Sequence, residues 1–300
     1  MESIRAIHSA AKSAGHAALS FEFFPPKSAE SEAALQEKTL PALLAARPDY
    51  CSVTYGAGGG TREKTLDVVE QIQSQHGLTT MMHLTCVHST RDQIRAVVEE
   101  ARKRGVRNFL ALRGDPPSGG EYVPTPGGFE FSSQLVSFLR ELGGFDIGTA
   151  GFPEGHIACK QGKLVDWGYL RDKVQAGADF IITQLFFDNT DFFRFRDHLS
   201  RNLGVAVPII AGILPVISRR QTTKFVELCG AGLPVEFRSR LEELGEDDAA
   251  VTEYGIEHAT AQCRELLREG VDGIHFYTLN RAHSTCRILS NLGFRGGVSA

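Results

Sequence analysis

The sequence contains no apolar run long enough to cross a membrane, which takes about eighteen consecutive apolar residues. Its first twenty residues include Glu2, Arg5 and Lys12 and lack the unbroken apolar stretch of a secretory signal. Both absences favour a protein of the cytoplasm. We expect no membrane partner.

The cysteines are not paired along the sequence. They stand at positions 51, 86, 159, 229, 263 and 286 and form no C-x-x-C pair. This spacing argues against a disulfide framework and a thiolate zinc site, and it fits a reducing cytoplasm. His83 and His88 are five positions apart, a spacing that helical zinc-binding pairs do not use. We therefore expect no metal site.

An excess of positive charge is missing as well. The formal net charge is -4 and the pI is about 6.2, with acidic and basic residues interspersed. We therefore expect no nucleic-acid partner, and small molecules are the predicted ligands. The 300 residues, 42% of them apolar, are enough to bury a full core, and no low-complexity linker divides them. One catalytic domain over residues 1–300 is predicted.

What the sequence does contain is a series of eight short β-branched or apolar runs. They are nearly continuously apolar, as parallel strands are when helices cover them, and helical patterns separate them. The runs are residues 19–24, 49–54, 79–84, 107–112, 146–152, 179–185, 207–213 and 273–278. This alternation predicts an α/β fold, the (β/α)8 or TIM barrel.

The helix after the third run shows the repeating unit. Thr90 and Gln93 form a capping box, an apolar stripe follows, and Gly105 supplies the stop. Because such barrels take about 250 residues, there is room for an N-terminal helix and an insertion before the last strand. We place the insertion at residues 231–252, as an extra helix and an acidic, solvated loop.

Active sites of TIM barrels lie at the C-terminal ends of the strands. The polar residues that this sequence places there are Glu22, Thr54, His83, Arg113, Asp115, His156, Gln184, Tyr277, Asn280 and Arg281. Glu22 is flanked by phenylalanines, where an ionised carboxylate would lose solvation, so it is a candidate proton donor. The alternative is a glutamate paired with an arginine inside the barrel.

Two other positions and one loop also allow more than one interpretation. Asp115 precedes two prolines and is either a turn residue or part of the site, since loops at strand ends build such sites. Gln184 ends an apolar run, and its amide needs a partner, either a ligand or a neighbouring strand. The glycines of segment 56–60 match a dinucleotide fingerprint imperfectly, because Thr61 replaces its last glycine. The favoured interpretation is a flexible loop that lets backbone amides approach a ligand closely.

The motifs SFEFFPP, VTYGA, HLTC, ALRGDPP, GADFIITQLFFD, GILP and HFYTLNRA follow one another along nearly the whole chain. In order and spacing they resemble the methylenetetrahydrofolate reductase family, of the bacterial type that consists of the catalytic domain alone. The resemblance implies an FAD-containing barrel that uses NADH or NADPH to reduce 5,10-methylenetetrahydrofolate to 5-methyltetrahydrofolate by a ping-pong route. It implies a place in one-carbon metabolism and methionine biosynthesis, with the reverse oxidation as an alternative physiological direction.

The same resemblance implies roles for individual residues. Glu22 and Asp115 are the implied catalytic residues: Glu22 protonates the folate ring nitrogen, and Asp115 places a negative charge beside flavin and pterin. Gln184 is implied to contact both folate and nicotinamide. The implied folate contacts are Glu22, Asp115, Gln184, Gln221, Phe225 and Arg281. Phe225 is suited to stacking, and Arg281 to the glutamate tail of a folate, polyglutamylated forms included.

The implied FAD contacts are Thr54, Tyr55, Ala57, His83, Arg113, Gly114, Asp115, Phe131, Ser132, Phe152, His156, Asp166 and Lys173. Lys173 would bring positive charge to the diphosphate, and Asp166 would bind sugar or adenine hydroxyls. Three residues depart from the family pattern on the adenosine side: Phe152 replaces a common Tyr, Tyr169 an Asn and Asp172 a basic residue. These departures could weaken FAD binding.

Two other functions stay open on the sequence. A barrel that binds folate or pterin without flavin would present similar acids and amides, and a scaffold or folate store is open because fold does not fix function. Neither NADH nor NADPH is selected by any residue pattern. We expect a homo-oligomer whose subunit number the sequence does not define, and no control by S-adenosylmethionine through a C-terminal regulatory domain.

Overall fold

A computed structural model describes residues 1–55, 62–115 and 122–294. Eight parallel strands form a closed barrel in sequence order, and β1 also pairs with β8. The strands are β1 Ala18–Phe23, β2 Tyr50–Val53, β3 Thr80–Thr85, β4 Asn108–Leu112, β5 Asp146–Gly151, β6 Phe180–Thr183, β7 Ile209–Ile213 and β8 Gly273–Tyr277. The predicted (β/α)8 barrel is confirmed.

Helices alternate with these strands around the outside of the barrel. The α-helices are α1 Ile4–Ser13, α2 Ala29–Ala34, α3 Leu40–Leu44, α4 Arg62–His76, α5 Arg91–Lys103, α6 Ser132–Leu142, α7 Lys163–Gln175, α8 Asn189–Asp197, α9 Arg219–Cys229, α10 Val235–Leu244, α11 Asp248–Arg268 and α12 His283–Asn291. Single π-helical turns over Leu35–Thr39 and His198–Asn202 join α2 to α3 and extend α8. The capping box of Thr90 and Gln93 is confirmed at the start of α5.

The predicted N-terminal helix is confirmed and closes the bottom of the barrel. Ile4 and Ile7 of α1 pack in one cluster with apolar side chains from the strands, among them Met81 and Phe180. The Ile4 N–H donates to Oδ1 of Asn108 at 3.1 Å, which satisfies a helix N–H that has no partner within the helix. Because one end is sealed in this way, a ligand has to enter at the C-terminal ends of the strands.

The insertion before the last strand is confirmed as a helix, and the predicted acidic loop is confirmed as a short segment over residues 245–247. Phe237 and Leu241 of α10 are buried against the barrel. The loop is short because Asp247 accepts hydrogen bonds from two backbone N–H groups and starts α11 at Asp248. Acidic side chains are favourable at a helix N-terminus, so this acidic run begins a helix.

The described ranges contain neither a membrane-spanning helix nor a metal-binding cluster. None of the helices within them is long and apolar enough to span a membrane. Among the same residues, no group of three or more His, Cys, Asp or Glu side chains could hold a metal ion.

Candidate active site at the carboxyl ends of the strands

A cleft of about 590 Å³ opens at the C-terminal ends of β4, β5 and β6. Its walls come from the segments that follow these strands, from the first turn of α6 and from one face of α7. The predicted site residues in its lining are Arg113, Gly114, Asp115, Phe131, Ser132, Phe152, His156, Asp166, Lys173 and Gln184. Residues far apart in sequence are thus brought into one cavity at the end of the barrel where TIM-barrel active sites lie.

Two cationic side chains in this cleft have no carboxylate at ion-pair distance in the described part of the chain. The Lys173 ammonium donates to the carbonyl oxygen of Ala150 at 3.4 Å, and burial lowers the pKa of Lys173. The guanidinium of Arg113 lies 4.8 Å from the centre of the Tyr122 ring. Partly buried cations usually have an anionic partner, so the lining suits a phosphate-containing ligand.

Gly114 shapes the turn that carries Asp115 into the cleft. Its φ is +84°, a left-handed conformation that glycine adopts without strain. A Cβ at this position would lie 2.7 Å from Cγ1 of Val87. A side chain is therefore excluded at residue 114, and the turn leaves Asp115 exposed at the cleft.

A second group of contacts forms the wall after β5. The backbone N–H of His156 donates to Asp166 at 3.1 Å, and the rings of Phe152 and His156 lie 4.4 Å apart. The indole N–H of Trp167 donates to the carbonyl of Phe152 at 2.9 Å. Burial raises the pKa of the Asp166 carboxyl and lowers the pKa of His156. These bonds hold the backbone between β5 and α7 in place.

Aromatic surface completes the cleft. Phe131 at the start of α6 is 53% exposed and Tyr169 on α7 is 49% exposed, and both line the cavity. Exposed rings of this size offer flat apolar walls to a planar ligand. Cations without ion pairs, a side-chain-free turn and aromatic walls together fit an elongated ligand with rings and phosphates, such as FAD.

Thr54 and Tyr55, two of the predicted residues after β2, lie beside the barrel mouth and outside the lining of this cleft. The Thr54 N–H donates to the carbonyl of Phe23 at 2.9 Å, and the Thr65 hydroxyl donates to the Thr54 carbonyl at 3.0 Å. Tyr55 is buried. Ala57 and the surrounding glycines of segment 56–60 lie outside the described residues.

Glu22 is buried on the inner face of β1, and among the described residues its carboxylate lies close to two histidines. Its Oε2 lies 3.5 Å from Nε2 of His83 and 3.9 Å from Nε2 of His275. Among the described residues no arginine lies at ion-pair distance from Glu22, so the alternative of an arginine partner is wrong. Burial lowers the pKa of His83 to about 4, while the nearby Glu22 carboxylate acts in the opposite direction. His83 is thus neutral at pH 7.

His275 is a residue that the sequence analysis missed. It stands two positions before Tyr277 on β8, so both side chains point to the barrel interior, and it pairs in register with Ser20. Counting back by two from the strand-end Tyr277 would have found it. The Tyr277 hydroxyl donates to the carbonyl of Thr183 at 2.5 Å, and burial raises the pKa of Tyr277.

The remaining predicted residues lie around the same end of the barrel. Gln184 is half-buried in the cleft lining, and its side-chain oxygen accepts from its neighbour's N–H, that of Leu185, at 2.9 Å. Gln221 lies in the first turn of α9 after β7, and Phe225 on that helix packs against buried apolar residues. Arg281 is exposed after β8, with its N–H donating to Thr278 at 2.9 Å.

Comparison with known proteins gives one family. The family model described as methylenetetrahydrofolate reductase matches residues 6–293. The 5,10-methylenetetrahydrofolate reductase of Escherichia coli K12 is 38% identical over 284 residues, which are 95% of this chain and 93% of that protein. Methylenetetrahydrofolate reductase (NADH) 1 of Arabidopsis thaliana is 39% identical over 290 residues, 93% of this chain and 49% of the plant protein. The chain thus spans about half the length of the plant relatives.

Solved structures with low sequence identity share the fold. An uncharacterised Clostridium thermocellum protein that binds two copies of 5-methyl-5,6,7,8-tetrahydrofolic acid has a TM-score of 0.64 at 16% identity, covering 92% of this chain and 94% of its own. Tryptophan synthase of Mycobacterium tuberculosis has a TM-score of 0.57 at 13% identity, covering 98% and 100%. At these identities the likeness concerns the barrel fold alone.

Proposed function

The chain belongs to the methylenetetrahydrofolate reductase family, and we propose that it reduces 5,10-methylenetetrahydrofolate to 5-methyltetrahydrofolate with NADH or NADPH through bound FAD. One hydride and one proton enter the folate, and NAD(P)⁺ is the other product. The observation that supports this proposal is the cationic, aromatic-walled cleft at the same end of the barrel as the buried carboxylate of Glu22.

FAD would be held by the residues of the cleft and the neighbouring strand ends. When bound, the flavin supplies the redox chemistry, which is the transfer of a hydride from NAD(P)H to the folate. Lys173 and Arg113 would bind the diphosphate, Asp166 a sugar or adenine hydroxyl, and Phe131 would cover a ring face. The other proposed contacts are Thr54, Tyr55, Ala57, His83, Gly114, Asp115, Ser132, Phe152 and His156.

Glu22 is the proposed acid. A proton from its carboxyl would reach the bridging nitrogen of the folate, break the bond from that nitrogen to the methylene carbon, and leave an iminium that accepts the hydride. The Glu22 carboxylate is buried, with Nε2 of His83 at 3.5 Å and Nε2 of His275 at 3.9 Å from its Oε2, and these neighbours hold it in place at the proposed reaction centre. General acid catalysis of this kind contributes about 10² to 10⁴ in rate.

Asp115 is proposed to act by its charge. The exposed carboxylate after Gly114 would lie beside the flavin and the pterin, where a negative charge favours the departure of a hydride. Because the effect is electrostatic, the sign of the side chain matters more than its ability to form hydrogen bonds.

The remaining polar and aromatic residues are proposed to bind the substrates. Gln184 would contact the folate and the nicotinamide in turn, so that both substrates use one side of the cofactor and the kinetics are ping-pong. Gln221 and Phe225 on α9 would contact the pterin, with the ring of Phe225 stacking on it. The exposed guanidinium of Arg281 would bind the glutamate tail, including polyglutamate forms.

Three residues near the adenosine half would reduce the affinity for FAD. Phe152 offers no hydroxyl, Tyr169 offers no carboxamide, and Asp172 forms an ion pair with Arg171 at 2.6 Å. None of them touches Glu22 in the structure. We therefore propose that the departures change cofactor retention and leave the reacting centre intact.

The experiment is a spectrum followed by turnover. The purified protein, supplied with FAD, should show flavin absorbance that NADH or NADPH bleaches, and 5,10-methylenetetrahydrofolate should restore it with formation of 5-methyltetrahydrofolate. Stopped-flow rates with each nucleotide, and then with 5-methyltetrahydrofolate, establish the nucleotide preference and the favoured direction. If the protein binds folate but no flavin, it is instead a flavin-free pterin enzyme. If it binds folate and shows no turnover, it is a folate store.

The setting of the enzyme is part of the same proposal. We propose a single catalytic domain over residues 1–300, acting in the cytoplasm as a homo-oligomer, in one-carbon metabolism and methionine biosynthesis. Light scattering of the FAD-loaded protein measures its mass against the 32.8 kDa of one chain. A measured mass equal to that of one chain would contradict the proposed homo-oligomer.

A further inference from the structure

The strand β6 leads to Gln184, and its end is supported differently on its two sides. Towards β5 the ladder continues to the end of the strand, because Thr183 is in register with Gly151 and the Gln184 N–H donates to the Gly151 carbonyl at 2.7 Å. Towards β7 the ladder ends at Ile182, one residue before Thr183. Strand pairing therefore supports the end of β6 on the β5 side alone.

Two groups from β7 and β8 hold Thr183 where the second ladder has ended. The Gly212 N–H on β7 donates to the Thr183 hydroxyl at 2.9 Å, and the Tyr277 hydroxyl on β8 donates to the Thr183 carbonyl at 2.5 Å. The second bond crosses a whole strand, because β7 lies between β6 and β8 in the barrel. Thr183 is fully buried, and a buried carbonyl requires a donor, which Tyr277 supplies.

Gly212 provides the space for this crossing. A Cβ at residue 212 would overlap the carbonyl oxygen of Thr183 and would lie 2.8 Å from the hydroxyl oxygen of Tyr277. The backbone of Gly212 is not in the left-handed region, so glycine is needed here for room and not for its conformational freedom. The absence of a side chain on β7 thus lets the Tyr277 ring reach from β8 to β6.

The bond from Tyr277 fixes one particular peptide group. The carbonyl of Thr183 and the N–H of Gln184 belong to the same planar peptide. Tyr277 holds its carbonyl from one side, and the carbonyl of Gly151 holds its N–H from the other. A planar group that is bonded on both sides cannot rotate without the loss of one of these bonds.

The side chain of Gln184 takes its direction from this backbone. It lines the cleft, and its Oε1 accepts from the N–H of Leu185 at 2.9 Å. Because a backbone N–H is a donor, the atom that faces it is the oxygen, and the amide nitrogen is left to bind a ligand. The place of that nitrogen in the cleft therefore depends on the backbone at Gln184 and on the peptide before it.

We propose that Tyr277 is a positioning residue for Gln184, whose hydroxyl fixes the peptide before Gln184 and thereby the place of its carboxamide in the cleft. This inference rests on the proposed function, in which Gln184 contacts the folate and the nicotinamide in turn. Burial and the nearby Glu22 raise the pKa of Tyr277, so its hydroxyl is a donor at neutral pH. Tyr277 takes no part in the transfer of the hydride or the proton, and its effect falls on the binding of both substrates.

The first test is Tyr277→Phe, which keeps the ring and removes the hydroxyl. In stopped flow of the FAD-loaded enzyme, the dissociation constants of the nucleotide and of the folate should each rise about tenfold, because both depend on Gln184. The limiting rates of the two half-reactions should stay within about twofold, because a contact made equally before and during the reaction changes binding alone. Tyr254→Phe, which removes a hydroxyl from a ring stacked on Phe237, is the control and should leave both constants unchanged.

A double-mutant cycle shows whether Tyr277 acts through Gln184. In a Gln184→Ala background, Tyr277→Phe should change either dissociation constant by less than about twofold, because the group that it positions is absent. An effect of about tenfold in that background would mean that Tyr277 acts on the ligands directly or on the barrel as a whole, and would overturn the proposal. Unchanged affinities in Tyr277→Phe alone would overturn it as well.

Two further readouts need no turnover. The ¹³C resonance of the Thr183 carbonyl should move to lower frequency in Tyr277→Phe and stay in place in Tyr254→Phe, and in the wild type the Tyr277 hydroxyl proton should exchange slowly with solvent. A carbonyl resonance that does not move, or a rapidly exchanging hydroxyl, would show that the bond is absent and would overturn the positioning role. If the wild type binds folate and nucleotide but transfers no hydride, the proposed function fails, while equilibrium titrations of the same variants still test the positioning of Gln184.

Discussion

The side-chain amide of Asn280 pairs with the backbone of Phe24. The Phe24 N–H donates to Oδ1 of Asn280 at 2.8 Å, and Nδ2 of Asn280 donates to the Phe24 carbonyl at 2.9 Å. Asn280 has a φ of 56°, a left-handed conformation that asparagine tolerates better than most residues. The Thr278 hydroxyl adds a bond of 2.6 Å to the carbonyl of Glu22. The loop after β8 thus fixes the end of the strand that carries the proposed acid.

Asn280→Ala should therefore weaken both stability and folate reduction. The variant loses two hydrogen bonds and places alanine at positive φ, which together cost roughly 2 to 3 kcal/mol of unfolding free energy. Asn280→Gly loses the same bonds without the backbone strain and should cost about 1 kcal/mol less. Urea unfolding of the two variants measures the difference. Equal losses would show that strain at residue 280 is negligible.

Glu22→Gln should separate the two halves of the proposed reaction. The amide keeps the size of the side chain but supplies no acidic proton, so folate reduction should fall by about 10² or more. Flavin reduction by NADH or NADPH should stay within about twofold, because it needs no acid at this position. Stopped-flow absorbance measures both rates, with Glu99→Gln on the exposed side of α5 as the control. Folate reduction at the wild-type rate would remove Glu22 from its role.

The fold was predictable because each element repeats one signal. All eight strands are buried over most of their length and largely apolar, and helices such as α5 carry a cap, an apolar stripe and a stop, so the barrel follows from local pattern. The start of α11 was not predictable in the same way. The acidic residues near Asp247 are equally typical of a loop and of a helix start, and the hydrogen bonds to the Asp247 side chain decide between them.

The candidate site was predictable in position more than in contacts. Strand ends give the location of Arg113, Gln184 and Glu22, because parallel strands of a barrel end at one face. Strand ends do not identify the partners of a side chain. His275 on β8 and His83 on β3 lie beside the Glu22 carboxylate, and the register of the strands decides which side chains meet across the interior. Register between strands that are distant in sequence is a tertiary property, so the arginine alternative for Glu22 could not be eliminated beforehand.

Lys173→Met should weaken FAD binding. The methionine keeps most of the volume but removes the ammonium that has no carboxylate partner in the described structure, and a charged contact with phosphate is worth about 1.5 to 3 kcal/mol. The dissociation constant of FAD should therefore rise about tenfold to a hundredfold. Fluorescence titration of the apoprotein measures it, with Lys160→Met, an exposed lysine, as the control. Equal affinity in both variants would contradict the proposed phosphate contact.

Gly114→Ala should distort the turn before Asp115. Alanine at a φ of +84° costs roughly 1 to 2 kcal/mol, and the clash with Val87 adds about 1 to 3 kcal/mol. Gly127→Ala is the matched control, since its φ is +73° and no atom lies within 4 Å of the added Cβ. The difference between the two unfolding free energies isolates the clash. If Gly127→Ala is equally destabilised, backbone strain alone limits both positions.

His83 should make the protein less stable as the pH falls from 6.5 to about 4. The pKa of His83 is about 4 in the folded protein against 6.5 for the free side chain, so between these values the unfolded chain binds a proton that the folded one does not. Stability therefore rises with pH across this window, and the full effect is about 3 kcal/mol. Above pH 6.5 both states are neutral at His83, and its contribution no longer changes.

The measurement is urea unfolding of the apoprotein at pH 7 and pH 5, in wild type and His83→Gln. The loss of stability between the two pH values should be about 2 kcal/mol smaller in the variant, because glutamine does not titrate. His8, His156 and His258 also have lowered pKa values, but they are present in both proteins and cancel in the comparison. His16→Gln, at an exposed histidine, controls for the loss of an imidazole. An equal pH dependence in wild type and His83→Gln would mean that the folded protein protonates His83 as readily as the unfolded chain does. That result would contradict the lowered pKa of His83.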